Sequence, residues 1–167
     1  MEKELEKTFL EGLEQNKHRL FRICSAYSID HESSKDLFQE AIINIWQSIH
    51  SFKSQSTIST WMFRITLNVC LRIQYSQKKR KRMFKNMDSI LIEKLPVTSE
   101  NEESNKKLVH LRHCISQLKE PNKSIITLCL EELSYKQISE ITGLTENHIA
   151  VKVKRIRSKL FICINQK

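Results

Sequence analysis

Apolar residues return every three or four positions along most of this chain, the spacing of one buried helix face. The pattern predicts a first helix from about Lys3 to Tyr27, with Leu5, Phe9, Leu13, Leu20, Cys24 and Tyr27 near one side. A second is expected to start after Asp30 and run to about His50, burying Leu37, Ala41, Ile45 and Ile49. A polar loop, SFKSQSTIS, spans Ser51 to Ser59, and a third helix follows from about Thr60 to Arg82. Between Met83 and Asn105 the periodicity fades and Asp88, Glu93, Glu100, Glu102 and Glu103 gather beside Pro96, which reads as a flexible acidic linker. Helical spacing resumes from Lys106 to Lys119, breaks at Pro121, continues from Asn122 to Leu133, and leads into a final pair of helices. Strand-like alternation is absent. With two glycines and two prolines in 167 residues, the fold class expected is all-α. Two small helical domains, residues 1–82 and 106–167, would be joined by a linker at 83–105.

The final pair carries more than periodicity. In LSYKQISEITGLTENHIAVKVKRIRSKL, from Leu133 to Leu160, a small residue (Ser139), a glycine (Gly143) and a β-branched residue (Ile149) fall at positions five, nine and fifteen from Tyr135. A steep helix crossing needs the small side chain, and glycine reaches positive φ in the turn without steric cost. Thr145 is placed to cap the second helix, whose stripe is Ile149, Val153, Ile156 and Leu160. The rest of that helix is cationic: Lys152, Lys154, Arg155, Arg157 and Lys159. Together these features predict a DNA-reading helix-turn-helix.

Charge supports a polyanionic partner, for the chain carries a formal +9. No run of about 18 apolar residues is present, and the acidic, amphipathic start MEKELEKTFLEGLEQ is unlike a signal peptide, so a cytoplasmic location is expected. The five cysteines, at 24, 70, 114, 129 and 163, form no Cys-x-x-Cys pair and are expected to be reduced core residues. His110, His113 and Cys114 share a helical face, but a zinc site needs a fourth ligand and none is evident in sequence, so no metal and no cofactor are assigned. No nucleophile–base arrangement or phosphate-cradling glycine loop suggests an enzyme.

Other stretches can be matched to chemistry. Asp36, Gln39 and Glu40 lie three to four apart opposite Leu37, Ala41 and Ile45, an acidic stripe that in a basic chain suits a protein partner. The loop's small hydrogen-bonding residues (Ser54, Gln55, Ser56 and Thr57) stand between Phe52 and Trp61, a composition suited to capturing unstacked bases. Trp61 is expected to be mainly core. Lys78, Lys79, Arg80, Lys81, Arg82 and Lys85 have the composition of a phosphate-binding strip. In the last helix, Asn147, His148, Val151 and Lys152 are placed to reach base edges, with Arg155 and Arg157 on the backbone.

The segment DLFQEAIINIW (Asp36 to Trp46), the loop SFKSQSTISTWMFRITLN (Ser51 to Asn68) and the helix-turn-helix, in that order, resemble the extracytoplasmic-function sigma factors, short two-domain initiation subunits of bacterial RNA polymerase. The likeness covers nearly the whole chain apart from the linker. It implies that Asp36, Gln39, Glu40 and Trp46 dock on the clamp coiled coil of core RNA polymerase. It also implies that the loop holds a flipped base of the melted non-template strand at the minus-ten element, with Asn68 lining the same site. The last helix would read double-stranded promoter DNA at the minus-thirty-five element. Proteins of this type are commonly sequestered by a membrane-bound anti-sigma factor; a monomer is expected when the chain is free. The sequence departs from the commoner pattern at Asn147 to Val153, where relatives have Gly-Thr-Val-Lys-Ser-Arg-Leu, so no promoter sequence carries over. Glu132 stands where relatives often have glycine. Residue pattern alone leaves open a stand-alone helix-turn-helix regulator.

Overall fold

The computed structural model describes residues 2–83 and 102–166, and divides into two compact units, Met1–Leu95 and Pro96–Lys167. Most of the expected linker, residues 84–101, and Lys85 of the basic cluster lie outside the described residues. Among the described residues all regular structure is helical, as the periodicity requires.

Unit 1 packs three long helices, α1 (Glu2–Ala26), α2 (His31–Ser48) and α3 (Ile58–Met83), each against the other two. Its core is Leu20, Ile23, Cys24, Ala41, Ile45, Ile49, Met62, Phe63 and Cys70. Gly12 lets α1 and α3 approach closely: a Cβ there would lie 2.9 Å from Met62 Cε and 3.1 Å from Ile58 Cγ1. Beside it the buried Asn16 amide donates to the Gly12 carbonyl at 2.8 Å and to Ser59 Oγ at 2.8 Å, pinning the start of α3 to α1. Asp30 caps α2 through a capping box with Ser33. The second helix is shorter than expected. It stops at Ser48, and Ile49–Ser51 forms a tighter 3-10 turn that leads into the loop.

Unit 2 is built from α4 (Glu102–Ser116), α5 (Asn122–Leu130), α6 (Tyr135–Thr142) and α7 (Glu146–Asn165), with α4, α5 and α6 all packed on α7. Helix α5 ends three residues before the expected Leu133 for a clear reason. Glu132 is left-handed at φ 59°. Its N–H donates to the Cys129 carbonyl at 3.0 Å, and the Leu133 N–H reaches back to the Leu128 carbonyl at 3.3 Å. This is a Schellman stop, with Leu128 and Leu133 both buried as its apolar clasp.

The expectation that all five cysteines are reduced is overturned. Cys114 of α4 and Cys163 of α7 are joined by a disulfide, with Cα atoms 6.1 Å apart. Packing of α4 on the far end of α7 brings together two residues 49 apart in sequence. Cys24, Cys70 and Cys129 stand outside the disulfide, and burial pushes the Cys129 thiol up from its usual range.

Candidate nucleic-acid and polymerase interfaces

The helix-turn-helix is assembled by local capping. The Ser134 hydroxyl accepts the Gln137 N–H at 3.2 Å, while the Gln137 side chain accepts the Ser134 N–H at 3.0 Å, so a complete capping box opens α6. Gly143 closes α6 at φ 76°, its N–H donating to the Ser139 carbonyl at 2.8 Å. A Cβ at Gly143 would meet nothing within 4 Å, so the backbone angle alone calls for glycine. Thr145 then caps α7, its hydroxyl accepting the His148 N–H at 3.3 Å.

These caps fix which side of α7 faces outward. Ile149, Val153, Ile156 and Leu160 are buried, whereas Asn147, His148, Val151 and Arg155 are all exposed on the opposite arc. Val151, 48% exposed, presents an apolar surface in the middle of that arc. Lys152 sits at its margin, half-buried, with Nζ donating to Asn122 Oδ1 at 3.3 Å. Arg157 is exposed but belongs to the other flank. At about 100° per residue it stands roughly 200° around the helix from Arg155, where it lines a groove with Leu111, Ile126, Cys129 and Phe161. Arg155 and Arg157 therefore face different sides of α7.

In unit 1 the loop ahead of α3 has an aromatic floor. Trp61 is 7% exposed and meets the half-buried Phe52 at 5.3 Å between ring centroids, so a ring pair joins the two ends of the loop. Between them in sequence Ser54 and Gln55 are exposed, and Ser54 is left-handed at φ 55°. Ser56 is half-buried. The Thr57 hydroxyl accepts the Thr60 N–H at 3.2 Å and lies 2.9 Å from the Thr60 hydroxyl, so it caps α3 and is already engaged. Asn68 is exposed, ten residues into α3 and hence about 15 Å along the axis from the loop. Lys78, Lys79, Arg80, Lys81 and Arg82 are all exposed on the last turns of α3, where cations also complement the helix dipole.

On α2, Asp36, Gln39, Ile43 and Trp46 form one exposed line, acidic at its start and apolar at its end. Trp46 is 44% exposed and packs on Phe9 of α1 at 5.0 Å between centroids. Glu40 is less available. Its carboxylate pairs with Arg72 of α3 at 3.3 Å and accepts the Asn44 amide at 3.1 Å, which fastens α2 to α3. Sequence reasoning missed Ile43 and Arg72: the first looks like core in a helical stripe, and the second is 32 residues from its partner.

Residues 13–82 match the family model of sigma-70 region 2, and residues 108–160 match that of sigma-70 region 4. The ECF RNA polymerase sigma-E factor of Haemophilus influenzae is 31% identical over 137 residues, spanning 75% of this chain and 71% of that protein. The RNA polymerase sigma factor SigV of Bacillus subtilis is 27% identical over 141 residues, spanning 84% and 81%. In fold, the chain is similar to the sigma factor RpoE of Bartonella quintana, solved in complex with the anti-sigma factor NepR. That likeness has a TM-score of 0.75 at 23% identity, and covers 96% of this chain and 99% of the other. CnrH, solved with the cytosolic domain of CnrY, gives a TM-score of 0.69 at 16% identity, covering 94% and 87%. The outward arc of α7 in unit 2 and the loop ahead of α3 in unit 1 thus fall inside the two matched regions, and the chain belongs to the extracytoplasmic-function family of RNA polymerase sigma factors.

Proposed function

We propose that this sigma factor divides its work between its two units, unit 1 holding core RNA polymerase and melted DNA, unit 2 reading the upstream promoter element. The observation that carries the reading is the outward arc of α7. Asn147, His148, Val151 and Arg155 are exposed together at the N-terminal half of a helix whose other side is core. That half is the part of a recognition helix that reaches base edges. Val151 suits a thymine methyl group, Asn147 and His148 suit hydrogen bonds to base edges, and Arg155 suits a phosphate. Lys152 joins them by leaving Asn122, while Arg157 on the other flank is assigned to a neighbouring phosphate at most.

In unit 1 the exposed line Asp36, Gln39, Ile43 and Trp46 is assigned to the polymerase clamp, with Glu40 shaping it through Arg72. Exposed Ser54 and Gln55, with Ser56 beside them, are assigned to a flipped minus-ten base. Phe52 and Trp61 act as the floor, Thr57 as the cap that sets the loop's shape, and Asn68 as a contact further along the strand. Lys78 to Arg82 add affinity for phosphates without sequence preference. No bond-making step is assigned to this chain; that chemistry stays with the polymerase. An anti-sigma partner is supported by the relative solved with NepR, and the groove of about 300 Å³ beside the exposed Phe161 and Leu130 offers it an apolar surface.

The test is co-elution of the full chain with bacterial core RNA polymerase at moderate salt, beside Asp36→Lys/Gln39→Lys and Asn147→Ala/Arg155→Ala. These substitutions are exposed and spare the Glu40–Arg72 pair. The first variant is expected to lose the polymerase, and the second to keep it while losing selectivity among upstream sequences. A wild-type chain that ignores core polymerase and binds DNA as a dimer would replace this reading with a stand-alone regulator.

A further inference from the structure

The far end of α7 from the reading arc holds a second constellation. His110 and Cys114 are four residues apart on one face of α4, and Cys163 approaches them from α7. The imidazole nitrogen and the two sulfurs all lie within 4.8 Å of one another. His113, which shares the helix with His110 in sequence, is exposed and stands outside the cluster. Cys114 is buried, while His110 and Cys163 are half-buried.

We propose that His110, Cys114 and the reduced Cys163 form a binding site for a thiophilic divalent cation of the zinc class, and that closing the Cys114–Cys163 disulfide abolishes it. A tetrahedral zinc with bonds of about 2.0–2.3 Å needs its ligand atoms roughly 3.5–3.8 Å apart. The imidazole nitrogen lies within 4.8 Å of both sulfurs, and reduction of the disulfide frees the two sulfurs to take up that spacing. Two thiolates and one imidazole are a soft set that favours zinc over magnesium or calcium. Their two negative charges neutralise the cation, and both thiol protons leave to solvent on binding. The half-buried side of the cluster leaves the fourth position to water. Leu111, Ile115 and Ile164, neighbours of the ligands along α4 and α7, line an adjoining apolar groove.

The exchange balances with hydrogen peroxide as oxidant. The two thiolate sulfurs give up two electrons and form the S–S bond. The peroxide O–O bond breaks, its oxygens take two protons from solvent and leave as two waters, and the divalent cation is released. Metal and disulfide are thus alternative cross-links between α4 and the helix that faces DNA.

The full chain, reduced with a phosphine and kept free of oxygen, is titrated with Co²⁺ and then Zn²⁺. A sulfur-to-cobalt charge-transfer band that saturates at one equivalent and bleaches with Zn²⁺ is expected. Cys163→Ser and His110→Ala should each weaken Zn²⁺ binding by at least about tenfold, since each removes one of three ligands. His113→Ala should bind as the wild type does. Peroxide-treated chain should bind no metal until the phosphine is restored. The proposal is overturned by absence of the charge-transfer band, by undiminished binding in Cys163→Ser, or by equal binding after oxidation. Loss in His113→Ala as large as in His110→Ala overturns it too. Circular dichroism reports whether each variant is folded; should Cys163→Ser not fold, His110→Ala decides.

Discussion

Replacing Glu132 by glycine is expected to stabilise unit 2. Glu132 occupies the left-handed position of the Schellman stop after α5, at φ 59°, and its side chain is exposed. A residue with a Cβ there costs roughly 1–2 kcal/mol against glycine in conformational strain. Glycine returns about 0.5–1 kcal/mol of that through the greater freedom of its unfolded chain. The balance is a gain of about 0.5–1 kcal/mol, or a rise of roughly 2–8 °C in melting temperature for a domain of this size. Glu132→Ala keeps the Cβ and so stays within about 0.5 kcal/mol of the wild type. Gly143→Ala runs the same argument backwards, at φ 76°, and should lower stability by about 1 kcal/mol. The assay is thermal melting of the full chain followed in parallel by far-ultraviolet circular dichroism and by tryptophan fluorescence. Both tryptophans, Trp46 and Trp61, belong to unit 1. Fluorescence should therefore stay fixed while the unit 2 component of the dichroism moves. Should Glu132→Gly melt no higher than the wild type, or Glu132→Ala rise equally, backbone strain is not what the position stores.

Three further outcomes are expected. Asn16→Ala, which removes a buried amide donating to both Gly12 and Ser59, should cost about 1–3 kcal/mol in urea unfolding followed by tryptophan fluorescence; a loss below about 0.5 kcal/mol would mean the bridge is replaceable. The Ser33 hydroxyl, then the Ser33 N–H, hold the Asp30 carboxyl below the usual carboxylate range. Because the folded value is depressed, the cap's contribution is complete above the unfolded value, near 3.9, and is lost as pH falls through the lower folded one. The melting difference between wild type and Asp30→Ala should accordingly be constant from neutral pH down to about 5 and shrink in stronger acid, and a difference independent of pH would contradict this. Lys152→Ala should weaken promoter binding by roughly 1–3 kcal/mol if it reaches a base; with Asn122→Ala, which frees Lys152, binding should be retained or improved, and unchanged selectivity in Lys152→Ala would assign the residue to Asn122 alone.

What could be read from the chain were features set by near neighbours. Helix positions, the Thr145 cap and the Gly143 turn depend on residues within about four of each other, and the sequence carries all of them. One boundary moved where a stop intervened: α5 ends at Leu130 because Glu132 turns left-handed, while α4 is described from Glu102 rather than Lys106. Features set by packing were not legible. The partner of Cys114 is 49 residues away, so sequence neighbours point to His113, which is exposed, rather than to Cys163. Glu40 looked like a free acid until α3 brought Arg72 to it. Likewise Lys152 and Asn122 are 30 residues apart, and only the fold shows that the lysine is held before any ligand arrives.

The end of α3 has a thermodynamic consequence. Every residue from Tyr75 to Met83 is exposed, so these turns gain no helical stability from burial. Unpacked end turns of a helix fray readily, and five adjacent cations from Lys78 to Arg82 repel one another. Neutralising them with phosphates removes that repulsion, so nucleic acid should shift the helix–coil balance of the segment. Phosphate binding at this segment is therefore expected to carry a calorimetric signature that direct contacts would not give: an ordering enthalpy and an opposing entropy that both fade as salt rises and the phosphates are screened.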